Sequence, residues 1–478
     1  MVMTGASWGS ATSYDPASDG YSMAAIRASM GAQAWWNAGY TGRGVDVAVI
    51  DSGVAPVAGL DAPDKVVYGP DLSLESQAPN LANLDTYGHG TFMAGLIAAN
   101  GADYQGVAPD ARIISLKVAT ADGGADVTQV IAAVDWVVQH AHDPGFNIRV
   151  LNLSYGTNSQ QLSAIDPLAY AVEQAWKKGI VVVTAAGNTG YQRGHGAPGL
   201  ADPGYDPYVI AAGAADTRGT ALTNDDAVAS FSASSSGCGS CKNPDFVAPG
   251  THMQGLRVPN SWIDANHPEG YLNDAYFRGS GSSEAAAITS GAVALVLQRY
   301  PNMTPDLVKR YFQSNAVKLA SFDSQAQGAG EIRLGQMLTK TPQWSFTGQN
   351  FTPATGTGSI ETARGSDHIS RDDVVLTGEQ DIFGQPIASA LLATTEATAS
   401  SWSGGFWNGS SWSGSSWSGS SWSASSWSGN SWSGSSWSGS SWSASSWSGS
   451  SWSASSWSGS SWSGSSWSGR SWADAYWG

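Results

Sequence analysis

Short apolar runs alternate with helical patterns between Val45 and Ala214, and this alternation limits the fold more than any other feature of the sequence. Such runs are typical of strands buried in a parallel sheet. Helices between them can supply the crossovers that parallel strands need. We therefore predict an α/β fold, a doubly wound parallel sheet with helices on both faces. The predicted strands are 45–50, 112–118, 150–154, 180–186 and 209–214.

A glycine-rich turn at Gly281 leads into an alanine-rich stretch that reads as a buried helix ending at Arg299, with Ser283 near its start. A serine there either caps the helix by accepting a hydrogen bond from a free N–H, or acts as a nucleophile facing the positive end of the helix dipole. A serine nucleophile also needs a base and a carboxylate that holds the base.

Two other stretches contain such groups. Asp51 ends the first apolar strand, and His89 lies between two glycines before a helical pattern at 92–99. Taken singly, Asp51 can be a turn residue and His89 a polar group at a helix start. The chemistry is indicated only when both are considered together with Ser283.

In the order Asp51, His89, Ser283, these residues resemble the catalytic triad of the subtilisin-like serine peptidases, the subtilases. Three further motifs resemble parts of that family in the same order. They are the substrate-binding strand (151–156), the oxyanion segment (185–188) and the structural turn before the serine (245–250). The resemblance covers 34–320 and implies a subtilisin-like fold.

The resemblance implies a secreted serine endopeptidase that works through an acyl-enzyme. His89 would act as general base and then general acid, and Asp51 would hold its imidazole. Ser283 would be the nucleophile, while the Asn188 side chain and the Ser283 backbone N–H would meet the oxyanion.

Substrate recognition is also implied by the resemblance. An extended peptide would bind through main-chain hydrogen bonds between two segments, which favours broad specificity. Small pocket walls indicate an apolar residue before the scissile bond. The substrate-binding residues are predicted to be Gly123, Gly124, Ser154, Tyr155, Gly156, Ala185, Ala186 and Gly187.

The chain departs from the family pattern at three places. Glu284 stands where methionine is usual and Ala287 where proline is usual, and we expect the carboxylate beside Ser283 to disturb His89 or to tune the pH range. The loop at 100–105 looks shorter than the family loop that often holds calcium. The chemistry needs no cofactor, and structural calcium is an alternative without an assigned site. Other candidate oxygen ligands are Asp202, Asp206, Asp225 and Asp226.

The sequence contains only two cysteines, Cys238 and Cys241. Their spacing suits a local disulfide, a redox pair or half of a zinc site. Because no second cysteine pair or histidine cluster is near, zinc is the weakest of these, and a secreted context favours the disulfide.

The net charge of −16 argues against nucleic acid or an anionic membrane surface as the main partner, since both attract basic patches. No apolar run reaches the length of a transmembrane segment. The resemblance implies proteins and peptides as the partners. The first residues lack the pattern of a secretory signal. Subtilases are usually made with a signal peptide and a propeptide, so the resemblance implies an extracellular protein whose signal peptide and propeptide lie outside this sequence. A cytoplasmic protein is the alternative.

Composition divides the chain into four parts. We predict an N-terminal extension (1–33), a subtilase catalytic domain (34–340), a connecting segment partly packed on the core (341–399) and a repeat tract of Trp, Ser and Gly (400–478).

The repeat tract has one tryptophan every five residues from Trp402 to Trp477. Its composition suits a disordered linker. Its regularity instead predicts a β-solenoid-like stack, since such a stack places every tryptophan equivalently. Such a tract would bind a surface, a glycan or another copy of itself. The rival functional hypothesis is accordingly a surface adhesion or scaffold protein with a vestigial peptidase domain.

Overall fold

The computed structural model describes residues 14–76, 80–191, 199–235, 241–371, 374–411 and 474–477. The helices of this part of the chain are α1 (Met23–Met30), α2 (Ala32–Asn37), α3 (His89–Ala98), α4 (Val127–His140), α5 (Pro167–Lys177), α6 (Trp262–Asn266), α7 (Ser282–Arg299), α8 (Pro305–Asn315), α9 (Ser324–Gln327), α10 (Leu334–Met337), α11 (Ile360–Arg364) and α12 (Ser389–Ala397), with a 3-10 helix at Pro268–Gly270.

The strands are β1 (Asp46–Asp51), β2 (Val66–Asp71), β3 (Arg112–Lys117), β4 (Ile148–Leu153), β5 (Val181–Ala185), β6 (Ile210–Asp216), β7 (Ala227–Val228), β8 (Phe246–Pro249), β9 (Met253–Leu256), β10 (Tyr276–Gly281), β11 (Ser370–Arg371), β12 (Val374–Val375), β13 (Trp402–Ser403), β14 (Phe406–Trp407), β15 (Ser410–Ser411) and β16 (Asp474–Trp477). The five predicted strands correspond to β1, β3, β4, β5 and β6, with ends shifted by one or two residues.

Eight strands form the main sheet in the order β2-β3-β1-β4-β5-β6-β7, with β8 also paired to β6. All pairs are parallel except β6 with β7. The chain adds β2 and β3 on one side of β1 and the later strands on the other side. This change in the side on which strands are added opens a crevice at the carboxyl ends of the strands, beside β1.

Helices cover this sheet in two groups. α7 packs against α3 and against β4, β5, β6 and β8, whereas α4 and α5 pack against each other and against β1 and β5. Every residue of α7 from Ser282 to Leu297 is buried. Its many alanine, serine and glycine residues let the helix approach its neighbours closely. The predicted α/β fold is confirmed.

The segment after α10 packs on the α4–α5 layer. α11 contacts both helices, and α12 contacts α5. Arg364 at the end of α11 is fully buried, and its Nε donates to Asp126 Oδ2 at 2.6 Å. Asp126 is the N-cap of α4 and accepts from Thr128 N at 3.0 Å. A buried ion pair therefore ties this segment to the start of a core helix.

Residues 402–411 form a small antiparallel sheet, which we call the anchor sheet, made of β13, β14 and β15. Its two turns, 404–405 and 408–409, have positive φ at every residue, as two-residue hairpin turns require. Trp402 pairs with Trp407 across the first two strands. Since directly opposed residues point to the same face of a sheet, both indoles lie on one side.

The two tryptophans of the anchor sheet insert into the core beside α4. Trp407 is fully buried and its Nε1 donates to Asp135 Oδ2 at 2.7 Å, while Trp402 Nε1 donates to Ala132 O at 2.8 Å. The Gln139 side chain also bonds to both main-chain groups of Trp402. The first two tryptophans of the repeat are thus part of the folded core.

This arrangement differs from the predicted β-solenoid. Trp402 and Trp407 face each other across antiparallel strands instead of stacking in parallel rungs, because α4 supplies acceptors for both indole N–H groups. The prediction for 412–473 lies outside the described residues.

Two carboxyl groups are buried beneath the anchor sheet. Burial raises the pKa of Asp135 to about 7, although hydrogen bonds from Trp407 and Ser401 oppose the shift. Burial and the neighbouring Asp135 raise the pKa of Glu396 well above its usual range. Both groups therefore bind protons more tightly in the folded protein than in the unfolded chain.

We expect the melting temperature to fall as the pH rises from 5 to 8, because Asp135 and Glu396 are among the buried carboxyl groups with raised pKa values. In this range such groups lose protons more readily in the unfolded chain than in the folded core, which favours unfolding. Asp135→Asn keeps an oxygen acceptor for Trp407 but cannot ionise, so its melting temperature should fall less over that range. Calorimetry of both proteins in a Ser283→Ala background, which prevents self-digestion, measures the difference. The exposed Asp225→Asn is the control, and an identical fall in all three proteins would contradict the assignment.

Candidate active site

Asp51 and His89 are directly hydrogen bonded at the crevice beside β1. Asp51 is the last residue of β1 and His89 is the first residue of α3. His89 Nδ1 lies 2.7 Å from Asp51 Oδ1, and both side chains are buried. Gly90 makes this approach possible, since a Cβ there would lie 2.2 Å from Gly53 O and 3.0 Å from Asp51 Oδ1.

Ser283 is the second residue of α7 and meets the end of β4. Its Oγ donates to Ser154 O at 3.3 Å, and Ser154 Oγ donates to Ser283 O at 3.3 Å. Ser154 directly follows β4, which pairs with β1. Because parallel strands end at the same edge, Ser283 lies at the edge that carries Asp51 and His89.

The predicted oxyanion segment is joined to the start of α7. Asn188 Oδ1 accepts from Ser282 N at 3.0 Å, and Gly187 N donates to Ser282 Oγ at 3.0 Å. Hydrogen bonds therefore fix the position of the turn after β5 relative to the helix that carries Ser283.

The predicted pocket has a third wall that no motif identified. A Cβ on Gly156 would lie 2.8 Å from Ala201 Cβ, and one on Gly187 would lie 3.3 Å from it. Ala201 N also donates to Ala186 O at 3.0 Å. Tyr155 is fully buried, and its side chain belongs to the hydrophobic core.

The other predicted substrate segment is the turn before α4. Gly123 N donates to Thr120 O at 2.9 Å, and Thr120 N donates to Gly124 O at 3.1 Å. Gly123 has φ of 84°, which favours glycine. These bonds close the loop into a compact turn ahead of α4.

Asp85 is a buried residue of the site that the sequence reasoning missed. Its Oδ1 accepts from Ser52 Oγ at 2.8 Å and Gly88 N at 2.6 Å, and its Oδ2 accepts from Thr91 N at 2.7 Å. It therefore links the residue after Asp51 to both sides of His89. An aspartate four residues before a histidine that begins a helix was the available signal.

A buried ion pair connects three parts of the site and was also missed. Lys117 Nζ lies 3.0 Å from Glu75 Oε2 and donates to Ser52 O at 2.9 Å and Leu84 O at 2.8 Å. Glu75 Oε1 accepts from Ala121 N at 2.8 Å. The pair thus holds the turn after Asp51, the segment before His89 and the glycine-rich turn before α4 together.

The structural turn at 245–250 packs against β10, which leads to Ser283. Gly281 N donates to Gly250 O at 2.9 Å. A Cβ on Gly250 would lie 2.6 Å from Gly281 O and 2.9 Å from Ala214 Cβ, so only glycine fits without a shift.

Glu284 and Ala287 are both fully buried in α7. Glu284 lies in the first turn, where the helix dipole favours a negative charge. Its predicted influence on the pH range stays a prediction.

The four candidate calcium ligands lie in different environments. Asp202 and Asp206 are buried, Asp225 accepts from Thr220 Oγ1, and Asp226 pairs with Arg333. Across the described ranges, no three His, Cys, Asp or Glu side chains are grouped as a metal site.

Three carbonyl oxygens that lie close together accept hydrogen bonds from the ammonium group of Lys242, which takes the place that a cation could fill. Lys242 Nζ donates to Gly204 O, Asp206 O and Val209 O at 3.0, 2.6 and 2.8 Å. Lys242 also lies 3.2 Å from Asp245 Oδ2. The neighbouring Cys241 is disulfide-bonded. Cys238, the other cysteine of the sequence, lies outside the described residues.

Comparison with known proteins gives several matches. The sequence profile of the subtilase family, peptidase S8, matches residues 42–331. Serine protease AprX of Bacillus subtilis is 37% identical over 299 residues, covering 61% of this chain and 65% of AprX. Minor extracellular protease Epr of the same organism is 29% identical over 64% of this chain and 40% of its own length. Subtilisin DY of Bacillus licheniformis is 31% identical over 62% of this chain and 91% of its length.

The chain belongs to the subtilase family. The matches cover somewhat less than two thirds of AprX and less than half of Epr. In the part of the chain that the structure describes, no helix is both long and apolar enough to cross a membrane.

Proposed function

We propose that the protein is a secreted serine endopeptidase that uses Asp51, His89 and Ser283 as its catalytic triad. The observation that carries this proposal is the buried 2.7 Å bond between His89 Nδ1 and Asp51 Oδ1, at the sheet edge where α7 presents Ser283. Asp51 fixes the ring so that Nε2 is the nitrogen available for proton transfer.

In the first half-reaction, Ser283 Oγ attacks the peptide carbonyl carbon while His89 Nε2 takes the hydroxyl proton. The C–N bond then breaks, His89 returns that proton to the leaving amine, and the acyl group stays on Ser283 as an ester. In the second half, water attacks the ester with His89 again as base, which releases the acid and restores the hydroxyl.

The developing negative charge on the carbonyl oxygen would be met by two donors, the Asn188 Nδ2 group and the Ser283 N–H. The Ser282 contact to Asn188 Oδ1 supports this role for Nδ2, because it fixes the amide against α7. The N-terminal end of α7 adds a favourable dipole.

The substrate would bind as an extended chain between the Gly123–Gly124 turn and the Ser154–Gly156 segment. The Ala201 methyl group, packed against Gly156 and Gly187, would limit the depth of the pocket and favour modest apolar side chains. Recognition through the backbone elsewhere supports broad specificity.

An extracellular location is supported by two observations. Epr carries the description extracellular protease. The disulfide at Cys241 is also typical of oxidising compartments.

The rival adhesion or scaffold role is not favoured, since the peptidase family match and the buried Asp51–His89 pair argue for an enzyme.

A fluorophosphonate reagent tests the proposal directly. We expect the folded protein to bind about one equivalent, on Ser283. Tryptic digestion and mass spectrometry should place the label on the peptide 279–299. Heat-denatured protein is the control and should not react. Failure of the folded protein to label, or labelling of another serine, would exclude the assigned nucleophile.

A further inference from the structure

The last described segment of the chain forms a strand beside the candidate active site. β16 pairs antiparallel with β10, with Asp474 opposite Gly281, Tyr476 opposite Ser280 and Trp477 opposite Gly279. β9 pairs with the opposite edge of β10. β16 also contacts α7, the helix that carries Ser283. The chain's own C-terminal end thus covers the remaining edge of β10.

The outer edge of β10 is well suited to a peptide backbone. The Ser280 hydroxyl accepts from His252 N at 2.8 Å. Gly281 is also tied to Gly250, so the edge is held in place rather than formed on binding. A strand edge of this kind recognises extended peptides through main-chain hydrogen bonds.

The direction of β16 identifies which half of a substrate it resembles. β10 runs toward Ser283, so an antiparallel neighbour runs away from it, and Asp474 is the residue of β16 nearest the nucleophile. In acyl transfer, the leaving half of a peptide begins at the scissile nitrogen and runs away from the serine. β16 therefore has the polarity of a leaving half and not of an acyl half.

We propose that the C-terminal strand Asp474–Trp477 is an intramolecular competitor that occupies the outer edge of β10 and excludes the leaving half of a peptide substrate. This inference rests on the proposed function. The acyl half, which would lie along the Ser154–Gly156 segment, does not use that edge. The strand is thus expected to act more strongly against long substrates than against substrates that end at the scissile bond.

Two substrates with the same acyl half separate this effect from a general loss of activity. A peptide p-nitroanilide has no residues beyond the scissile bond, whereas an internally quenched peptide can carry four. If β16 leaves the outer edge of β10 free about one tenth of the time, the apparent affinity for a substrate that uses this edge is weakened about tenfold. Removal of 471–478 should therefore raise kcat/KM for the quenched peptide about tenfold, mainly through KM, and change the anilide value less than about twofold.

A proline substitution tests the same point in the full-length chain. Tyr476→Pro removes an N–H from β16 and should release the strand, because proline cannot donate to a ladder. Ser465→Pro introduces the same residue elsewhere in the tract and is the matched control, expected to behave as wild type. A synthetic peptide of residues 471–478 should inhibit the truncated protein toward the quenched peptide and not toward the anilide.

An unchanged ratio of the two kcat/KM values in both the truncated and the Tyr476→Pro proteins would overturn the proposal. The same holds if Ser465→Pro changes the ratio as much as Tyr476→Pro does. Fluorophosphonate labelling of each protein distinguishes this failure from failure of the proposed function, since labelling needs the nucleophile but no leaving half. Labelling in all variants with an unchanged ratio rejects only the competitor strand.

Discussion

Replacement of Ser283 by alanine should reduce peptide hydrolysis about 10⁶-fold, and His89→Ala should have an effect of the same order. Subtilisin, of the same family, provides that magnitude for loss of its serine or histidine. Both side chains act as one unit in the proposed mechanism, so the double variant should be no worse than either single one. The measurement is kcat with a peptide anilide.

Asn188→Ala provides the graded comparison in the same assay. It should lose only about 10²–10³ in kcat, again the subtilisin value for one oxyanion donor, because the triad remains intact. Its fluorophosphonate labelling should be slower but complete. If the three variants lose equal activity, or if Ser283→Ala retains more than a trace of the wild-type turnover, the assigned roles are wrong.

Trp407→Ala should lower the free energy of unfolding by about 3–5 kcal/mol, the usual cost of deleting a large buried aromatic side chain. Trp407 is fully buried and its indole N–H is bonded to the buried Asp135 carboxyl, which would lose that partner. Guanidinium unfolding in the Ser283→Ala background measures the change.

The control for this prediction lies in the same anchor sheet. Ser403 is exposed, so Ser403→Ala should change the free energy by no more than about 0.5 kcal/mol. A loss below about 1 kcal/mol for Trp407→Ala would show that the anchor sheet contributes little to the core.

The central sheet was predictable because its signal is local. Buried strands such as β1 and β5 are continuous apolar runs, and their lengths and order leave few alternatives to a parallel sheet. Asp51, His89 and Ser283 each stand where an element begins or ends, so the fold alone brings them to one edge. The short motifs around them were sufficient to select all three as candidates.

Asp85 and the Lys117–Glu75 pair were not predictable in the same way. Lys117 ends a strand and Glu75 lies in a loop, which are ordinary places for exposed charges. Only the tertiary structure shows that both are buried and that their bonds connect the segments around Asp51 and His89. Periodicity in the sequence does not predict such contacts.

The anchor sheet shows the same limitation within a repeat. Trp402 and Trp407 occupy the same repeat position as the later tryptophans, yet Ala132 and Asp135 of α4 supply their hydrogen-bond acceptors. A prediction based on the period alone treats every unit as equivalent. The structure makes the first two units exceptional because they adjoin a folded domain.

The repeat tract is attached to the catalytic region at both ends, through the anchor sheet and through β16. While the chain is intact, pairing of β16 with β10 is a unimolecular event, and diluting the protein cannot weaken it. One peptide bond cut anywhere in 412–473 would make the same pairing bimolecular. The strand would then dissociate at low protein concentration. A single nick in the tract would thus act as an irreversible step that frees the edge of β10 and leaves the folded core intact.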